Sequence, residues 1–578
     1  MKRLATIALM LCLFPGLIRV DETLEKAVQQ DLVLRALVDE LERGKVGLKL
    51  EDLEQPYFIE YALHDATRVS VAATLGAVTR KNVNHSRRLR TDLRVGSYEL
   101  DNTNFSGRGY GWYFGGGFGP FGEAQIPIED DYGAIRQAIW WSTDRKYKEV
   151  IEQFAKKKAF MESKVIEDKP NDFSREEPTT HVEERIDVAM DVAHLENLAL
   201  ELSQFFRETP QIKHSGVTIS GKGGNSYLVN TEGTRMRAGG VYYSVAVNAT
   251  VQADDGMELS DSISIDVNEL AQLPELAELT DRCSRMIQQL IALKSAPKLE
   301  SYTGPILFEP KAAAAIFSKR FADKFTGGQR AVGSRANPED LANKLNKRIL
   351  PRFMDVVDDP TQETIAGVPV IGNYEYDHQG VPAKPLKLVE KGRLKKLVMS
   401  RNPSKEFSNS TGHGRGPYRV RSAIGCVVVT AEPGMGPDEL KSELLEACED
   451  EDLEFGIRVA SLSGAAGYNS HSFYGFGMGF GFGGYGRGGS NPLVMYKVFP
   501  DGREELVRGS EFAAIDLKAF KRILAAGNTP YVLNTGGGTP KTVAVPALLF
   551  EELDLAKIDR DFDKPPILPT PLARGGGK

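Results

Sequence analysis

The stretch GVTISGKGGNSYLVNTEGTRMRAGGVYYSVAVNATVQ, Gly216 to Gln252, constrains the fold most. It reads as strands, and in YLVNTEGT a strand runs into a glycine turn. Tyr57 to Tyr98 reads the same way, with alternation in YFIEYAL and RVSVAATL. Segments of helical character lie around these strands. In Asp21–Arg43, Leu24, Ala27, Leu34, Val38 and Leu41 fall on one face, with Asp31 as the one polar interruption. Glu129–Ile166 is rich in charge and helix formers, Leu195–Phe206 is amphipathic, and Glu269–Lys294 is helical again. Antiparallel strand pairs mixed with helices, without strict βαβ alternation, predict an α+β fold.

A chain of 578 residues is too long for one core, so two or more domains are expected. SAPKLESYTGP, Ser295 to Pro305, has the Pro, Gly and Ser content of a linker. The expected units are a first α+β domain over 21–298 and a second over 299–557. In the second, ILFEP reads as a buried strand and KAAAAIFSKRFADKF as a helix. Two hairpins follow, turning at Lys391-Gly392 and at Asp501-Gly502. The Pro/Gly-rich tail over 558–578 is expected to be disordered.

Hydrophobic residues make up 41% and charged residues 26%, as in ordinary globular proteins. A net charge of -7 without a long basic run argues against a dedicated nucleic-acid binder. RKNVNHSRRLR, Arg80 to Arg90, is locally basic but short, and reads as a solvated strand face. At the N-terminus, Lys2 and Arg3 precede LATIALMLCLFPGLI, an apolar run shorter than a membrane span. Residues 1–20 therefore read as an export signal, with a periplasmic or extracellular protein as the expectation and a cytoplasmic one if the segment is an ordinary helix. No later segment looks transmembrane. Outside the signal, Cys283, Cys426 and Cys448 have no zinc or disulfide spacing and are expected to be buried as small apolar residues.

No HExxH, P-loop, Rossmann fingerprint or GxSxG occurs. His378 in YDHQG, His413 in TGHGRG and His471 could in principle share a metal, but their separations carry no metal signature. In TGHGRGPYRVR, glycines expose backbone amides beside the planar donor fork of Arg415. His413, Gly414 and Arg415 are thus candidates for gripping a carboxylate or a peptide backbone, with an ordinary glycine turn as the equal alternative.

The order of elements over residues 300–557 resembles the TldD/PmbA (TldE) family of metallopeptidases, also called modulators of DNA gyrase. The resemblance rests on GPILFEPKAAAAIFSKRFADKF, YDHQGVPAKPLKLVEKGRLKKLVMSR, SNSTGHGRG, VMYKVFPDGREELVRG and the final AGNTP and VPALLFEELDL. The first half is similar only loosely, as an α+β domain ahead of the second. Catalytic members bind zinc through a helical HExxxH and a late Cys, and the Glu acts as base. The matching helix, within 310–326, puts Ser318 and Asp323 at the His positions and Lys319 at the Glu position. The late Cys falls in NTGGGTP, Asn534 to Pro540, which has none. The resemblance therefore implies the zinc-less TldE-like type. Such a chain carries no cofactor of its own and completes a peptide chamber with a zinc-binding TldD-like subunit, or dimerises with itself. A peptidase with an unrecognised metal site and an exported peptide-binding or structural protein are the alternatives.

Two segments alternate glycine with aromatics: residues 104–123 and 471–491. The resemblance places the second in a loop ahead of the hairpin that begins near Leu493. Phe473, Tyr474, Phe476, Phe480 and Phe482 then either pack against the other loop around Trp112, Tyr113 and Phe114, or form an apolar patch for a partner or peptide. Base stacking needs a cationic groove, and Arg487 is the only fixed charge in the second stretch.

Overall fold

The computed structural model describes residues 25–573 apart from 27, 50–52, 107–122, 165–168, 335–339, 464–490 and 560. The signal segment and the aromatic residues of both glycine-rich loops named above lie outside the described residues. The fold is α+β. The first half contains α1 (Leu32–Gly47), β1 (Pro56–Thr74), β2 (Ala77–Val95), α2 (Tyr132–Glu162), α3 (Val192–Gln204), β3 (His214–Asn230), β4 (Arg235–Gln252), β5 (Glu258–Val267) and α4 (Leu276–Ser295). The five strands form one antiparallel array in the order β2-β1-β3-β4-β5, with two short strands at its edges.

The two alternating sequence runs are thus two long hairpins. The β1–β2 turn is Leu75-Gly76, with φ of 50° and 71°. Both values lie in the left-handed region that two-residue hairpin turns require. Strand periodicity gives the array two unlike faces. On one, Val69, Val71, Val217, Ile219, Val245 and Val247 are buried under α3 and α4. Toward the other end of the strands, Ile59, Tyr61, Leu63, Leu89 and Leu93 pack against α1 and α2.

Two expectations are corrected here. The helical stretch read over 21–43 breaks at Asp31, which caps α1, accepting from the Val33 and Leu34 amides at 2.9 and 3.1 Å. The same buried carboxylate takes Tyr227 Oη at 3.0 Å and Arg237 Nη1 at 2.7 Å, so it ties the helix to β3 and β4. The basic run on β2 is only partly a solvated face. Residues 77–85 are exposed, but Arg87 is buried and pairs with Asp65 and Asp130, both at 2.7 Å.

In the second half, β6 (Tyr302–Phe308) leads into α5 (Pro310–Arg320). Proline at the first helical turn starts α5 without losing a bonded amide. The helix packs against strands of two mixed sheets, and Ala312–Ala315 are all buried. These small side chains let both sheets approach the helix closely. The expected hairpins form. Lys391 and Gly392 both take positive φ (46° and 72°), and Glu390 pairs with Arg393. Around Asp501-Gly502, Val498 pairs with Glu504. Cys283, Cys426 and Cys448 are free and buried, and burial pushes all three thiols up, Cys283 to about 11. In the tail, Asp563 O accepts from Gln252 at 2.9 Å, so this part touches the first half.

The halves are joined by buried polar contacts. Arg401 forks onto Glu232 at 2.6 and 2.7 Å, donates to Ser174 O and lies 3.9 Å over the Phe173 ring. Arg401→Met leaves the Glu232 carboxylate without its cation, with only the Tyr98 hydroxyl still donating to it, and leaves the Ser174 carbonyl without the guanidinium. The expected cost is about 3–5 kcal/mol, read as a lowered urea midpoint for the junction.

Candidate functional site: a cleft between the halves

The face of the sheet opposite α3 and α4 is polar and lined by small side chains. Register places Ser70, Ser220, Ser244 and Asp266 in one row across β1, β3, β4 and β5. The neighbouring row carries Asn84, Arg68, Lys222 and Tyr242. This surface forms one wall of a cleft of about 750 Å³. The other walls come from Arg282 and Arg285 of α4, Lys311 and Ala315 of α5, and β7 (Tyr531–Thr535) with the glycines after it. Asn534 Nδ2 donates to Pro369 O at 2.9 Å and to Asp266 O at 3.4 Å, which seats β7 against the sheet. At Gly536 a Cβ would come within 1.6 Å of Tyr242 Oη, so any larger residue there would have to displace that hydroxyl. The Tyr242 hydroxyl donates to Asp266, and burial together with that carboxylate pushes its pKa up. Burial also raises the Asp261 carboxyl, while Lys311 opposes the shift.

The TGHGRG loop is organised differently from the expectation. His413 and Arg415 are buried, with 0% and 4% exposure, so neither side chain reaches a ligand here. Gly414 N donates to Asp377 at 2.7 Å, Arg415 donates to Ile424 O and lies 4.4 Å over Tyr374. His413 Nδ1 lies 2.8 Å from Thr411 O, which leaves Nε2 facing the Asp358 carboxylate at 3.6 Å. Burial pushes the His413 pKa down and the Asp358 pKa up, while their mutual attraction and the Gly425 and Cys426 amides on Asp358 oppose these shifts. The loop is a polar staple, bound to YDHQG through Asp377 and through His378 Nδ1, which accepts from Gly416 N at 3.1 Å. His378 also abuts His64 of β1, their ring centres 6.1 Å apart, while His64 Nδ1 meets Ser226 Oγ at 2.9 Å. The staple thus closes one end of the sheet's polar face.

Zinc does not fit the α5 positions. Ser318 is buried near the end of the helix, Lys319 is an exposed cation, and Asp323 lies in the following short turn. Asp323 is held by Lys541 Nζ at 2.6 Å, so the carboxylate already has a cation. This contact brings together the two segments where the resemblance puts the family's metal ligands. The cleft reaches α5 one turn earlier, at Ala315. Among the described residues, the ligand atoms that cluster closely enough for a metal are those of His181, Glu183 and Glu375, on another part of the surface. His378 and His413 belong to the staple, and His471 lies outside the described residues.

With this geometry in place, the relatives are informative. Residues 301–478 match the family model described as the PmbA/TldA metallopeptidase C-terminal domain. A curated protein named Metalloprotease, from Archaeoglobus fulgidus, is 27% identical over 139 residues, which is 24% of this chain and 30% of that protein. The alignment thus spans less than a third of that relative. The fold is similar to that of TldE from Thermococcus kodakarensis, with a TM-score of 0.55 and 15% identity, covering 90% of this chain and all of that one. It is also similar to a protein described as a modulator of DNA gyrase from Thermotoga maritima, with a TM-score of 0.54 and 13% identity over 86% of this chain and 96% of that one. Residues 301–478 thus match the C-terminal domain of the PmbA/TldA metallopeptidases, and the fold over most of the chain is similar to that of TldE.

The His64 side chain reports the electrostatics at the end of the polar face. Burial, with the charges of Lys222 and Arg90, pushes its pKa down to about 3. Between that value and the ordinary 6.5 the unfolded chain binds a proton that the folded one refuses. His64 therefore supports the fold fully near pH 7 and progressively less as pH falls toward 3. His64→Gln removes this term and the ring contacts together. The melting-temperature deficit of the variant is expected to be largest at pH 7–8 and to shrink by a few degrees by pH 5, measured by calorimetry of both proteins.

Proposed function

We propose that this chain is the TldE-like, non-catalytic member of a peptidase pair. In this reading it supplies a peptide-binding wall and interface, while a TldD-like subunit supplies zinc. The observation that carries it is the Asp323–Lys541 ion pair, which joins the turn after α5 to the residue that follows NTGGGTP, the two places where the resemblance puts the family's metal ligands. The donors there are an ammonium and a carboxylate already engaged with it, so the chemistry of a zinc-activated water has no support from this chain. The fold around that point is nevertheless kept, and the cleft beside it is large enough for several residues of an extended peptide. A polar strand-lined wall suits such a ligand, because backbone amides and carbonyls can be met by hydroxyls. The export signal read in residues 1–20 supports a location for this pair outside the cytoplasm.

The test is co-expression with a chain that has an intact HExxxH, followed by size exclusion, metal analysis and a peptide-cleavage assay. The expected result is a stable hetero-oligomer whose zinc and activity both require the partner. Stoichiometric zinc and cleavage by this chain alone would replace this reading with that of a peptidase with its own metal site. Asp323→Ala is expected to leave cleavage by the pair within about twofold, because the ion pair it removes is exposed on the Asp323 side and contributes at most about 1 kcal/mol.

A further inference from the structure

The polar face carries a charge arrangement that the fold alone does not need. Arg68 and Lys222 stand directly opposite each other on β1 and β3. Like charges in that position destabilise a sheet. Among the described residues no ion pair joins either side chain to a carboxylate, and apart from burial the influence on Lys222 is the Arg68 charge, which lowers its pKa further. The other cations of the cleft are accounted for. Arg282 and Arg285 pair with Glu278 and Asp281 one turn back on α4, and Lys311 acts on Asp261. The acid nearest in register, Asp266, is engaged by the Tyr242 and Ser264 hydroxyls. The field of the pair reaches further, since Lys222 contributes to the lowered pKa of both His64 and His378.

We propose that the Arg68–Lys222 pair, flanked by the hydroxyls of Ser70 and Ser220, is a carboxylate-binding subsite in the cleft. Arg68 offers a planar fork of N–H donors that can take both oxygens of a carboxylate, and the half-buried Lys222 ammonium offers a point charge beside it. A bound carboxylate relieves the repulsion between the two cations, so binding gains from the like-charge opposition that the register imposes. The inference deepens the peptide reading and rests on it for the identity of the carrier: the carboxylate is either an acidic side chain or the C-terminus of a peptide.

The experiment uses the full chain and three fluorescent peptides of one length. One has acidic side chains and an amidated end, one has neutral side chains and a free C-terminus, and one is neutral and amidated. At least one carboxylate-bearing peptide is expected to bind tenfold or more tightly than the neutral amide, and which one does so identifies the carboxylate. Arg68→Gln and Lys222→Gln each remove most of that advantage without changing affinity for the neutral amide. Both variants also raise the melting temperature of the free protein, because each removes one of two opposed like charges; a purely structural role predicts the reverse. Glutarate, compared with chloride at equal ionic strength, separates the two ideas. If no peptide binds but glutarate raises the melting temperature of the wild type and not of Lys222→Gln, the subsite stands and the peptide reading falls. If carboxylate-bearing and neutral peptides bind alike, or if neither glutarate nor any peptide distinguishes wild type from Lys222→Gln, the subsite is overturned.

Discussion

The two-sidedness of the long sheet is the constraint on which the rest depends. Strands of 17–19 residues place every second side chain on the same face over their whole length. A shift of one residue in any strand pairing would exchange valines for serines and charges along the sheet. With Val69, Val71, Val217 and Ile219 facing the helices, Arg68, Ser70, Ser220 and Lys222 must face the other way. The register that buries the core therefore also builds the cleft wall. Core and candidate site are two readings of one alternation.

A polar sheet face is stable in water, so it needs no cover. The second half nevertheless covers both of its ends, with the YDHQG and TGHGRG staple at one and α5 with β7 at the other. The cost of covering polar groups is met by pairing them. Arg401 satisfies Glu232, Thr179 donates to Gly380 O at 2.9 Å, and Arg90 links Glu60 at 2.9 Å to the His378 carbonyl. Glu60 shows how narrow the balance is. Burial raises its pKa to about 7 although Arg90 pulls it down. Where the staple covers the face, such groups are kept neutral or paired. Between the two covers lies the opening in which Arg68 and Lys222 stand without a carboxylate.

What could be read from the sequence was whatever depended on neighbours in the chain. The hairpins at Lys391-Gly392 and Asp501-Gly502, the α+β class and the ordered motifs of the second half all rest on local chemistry. Asp31 was misjudged because its N-capping role depends on where the helix starts, and its bonds to Tyr227 and Arg237 span about two hundred residues. The cleft was missed for the same reason: its walls come from residues near 68, 222, 311 and 534, which only the register and the packing of α5 bring together. The signal was nonetheless present. In RVSVAATL and GVTISGKGG the same alternation that marks the strands also sorts Arg68, Ser70, Ser220 and Lys222 onto the face opposite the valines.

The helix where the resemblance puts the family's metal ligands also has a packing logic. α5 is wedged between two sheets on the small side chains Ala312–Ala315, and its aromatic end, Phe317 and Phe321, stacks into Phe520 and Phe325. These contacts fix the helix whatever residues occupy its solvent-facing positions. Of the three positions in question, Ser318 is itself part of the buried side, Lys319 is exposed, and Asp323 lies in the turn beyond the helix. Beyond the helix, Asp323 and Lys541 tie the turn to the strand region after Asn534 by an exposed and therefore weak ion pair. The core of α5 and this ion pair are separable, because Asp323 lies beyond the helix that Ala312–Ala315 anchor. The same separation leaves the Arg68–Lys222 row, on a different wall, free to define what the cleft prefers to hold.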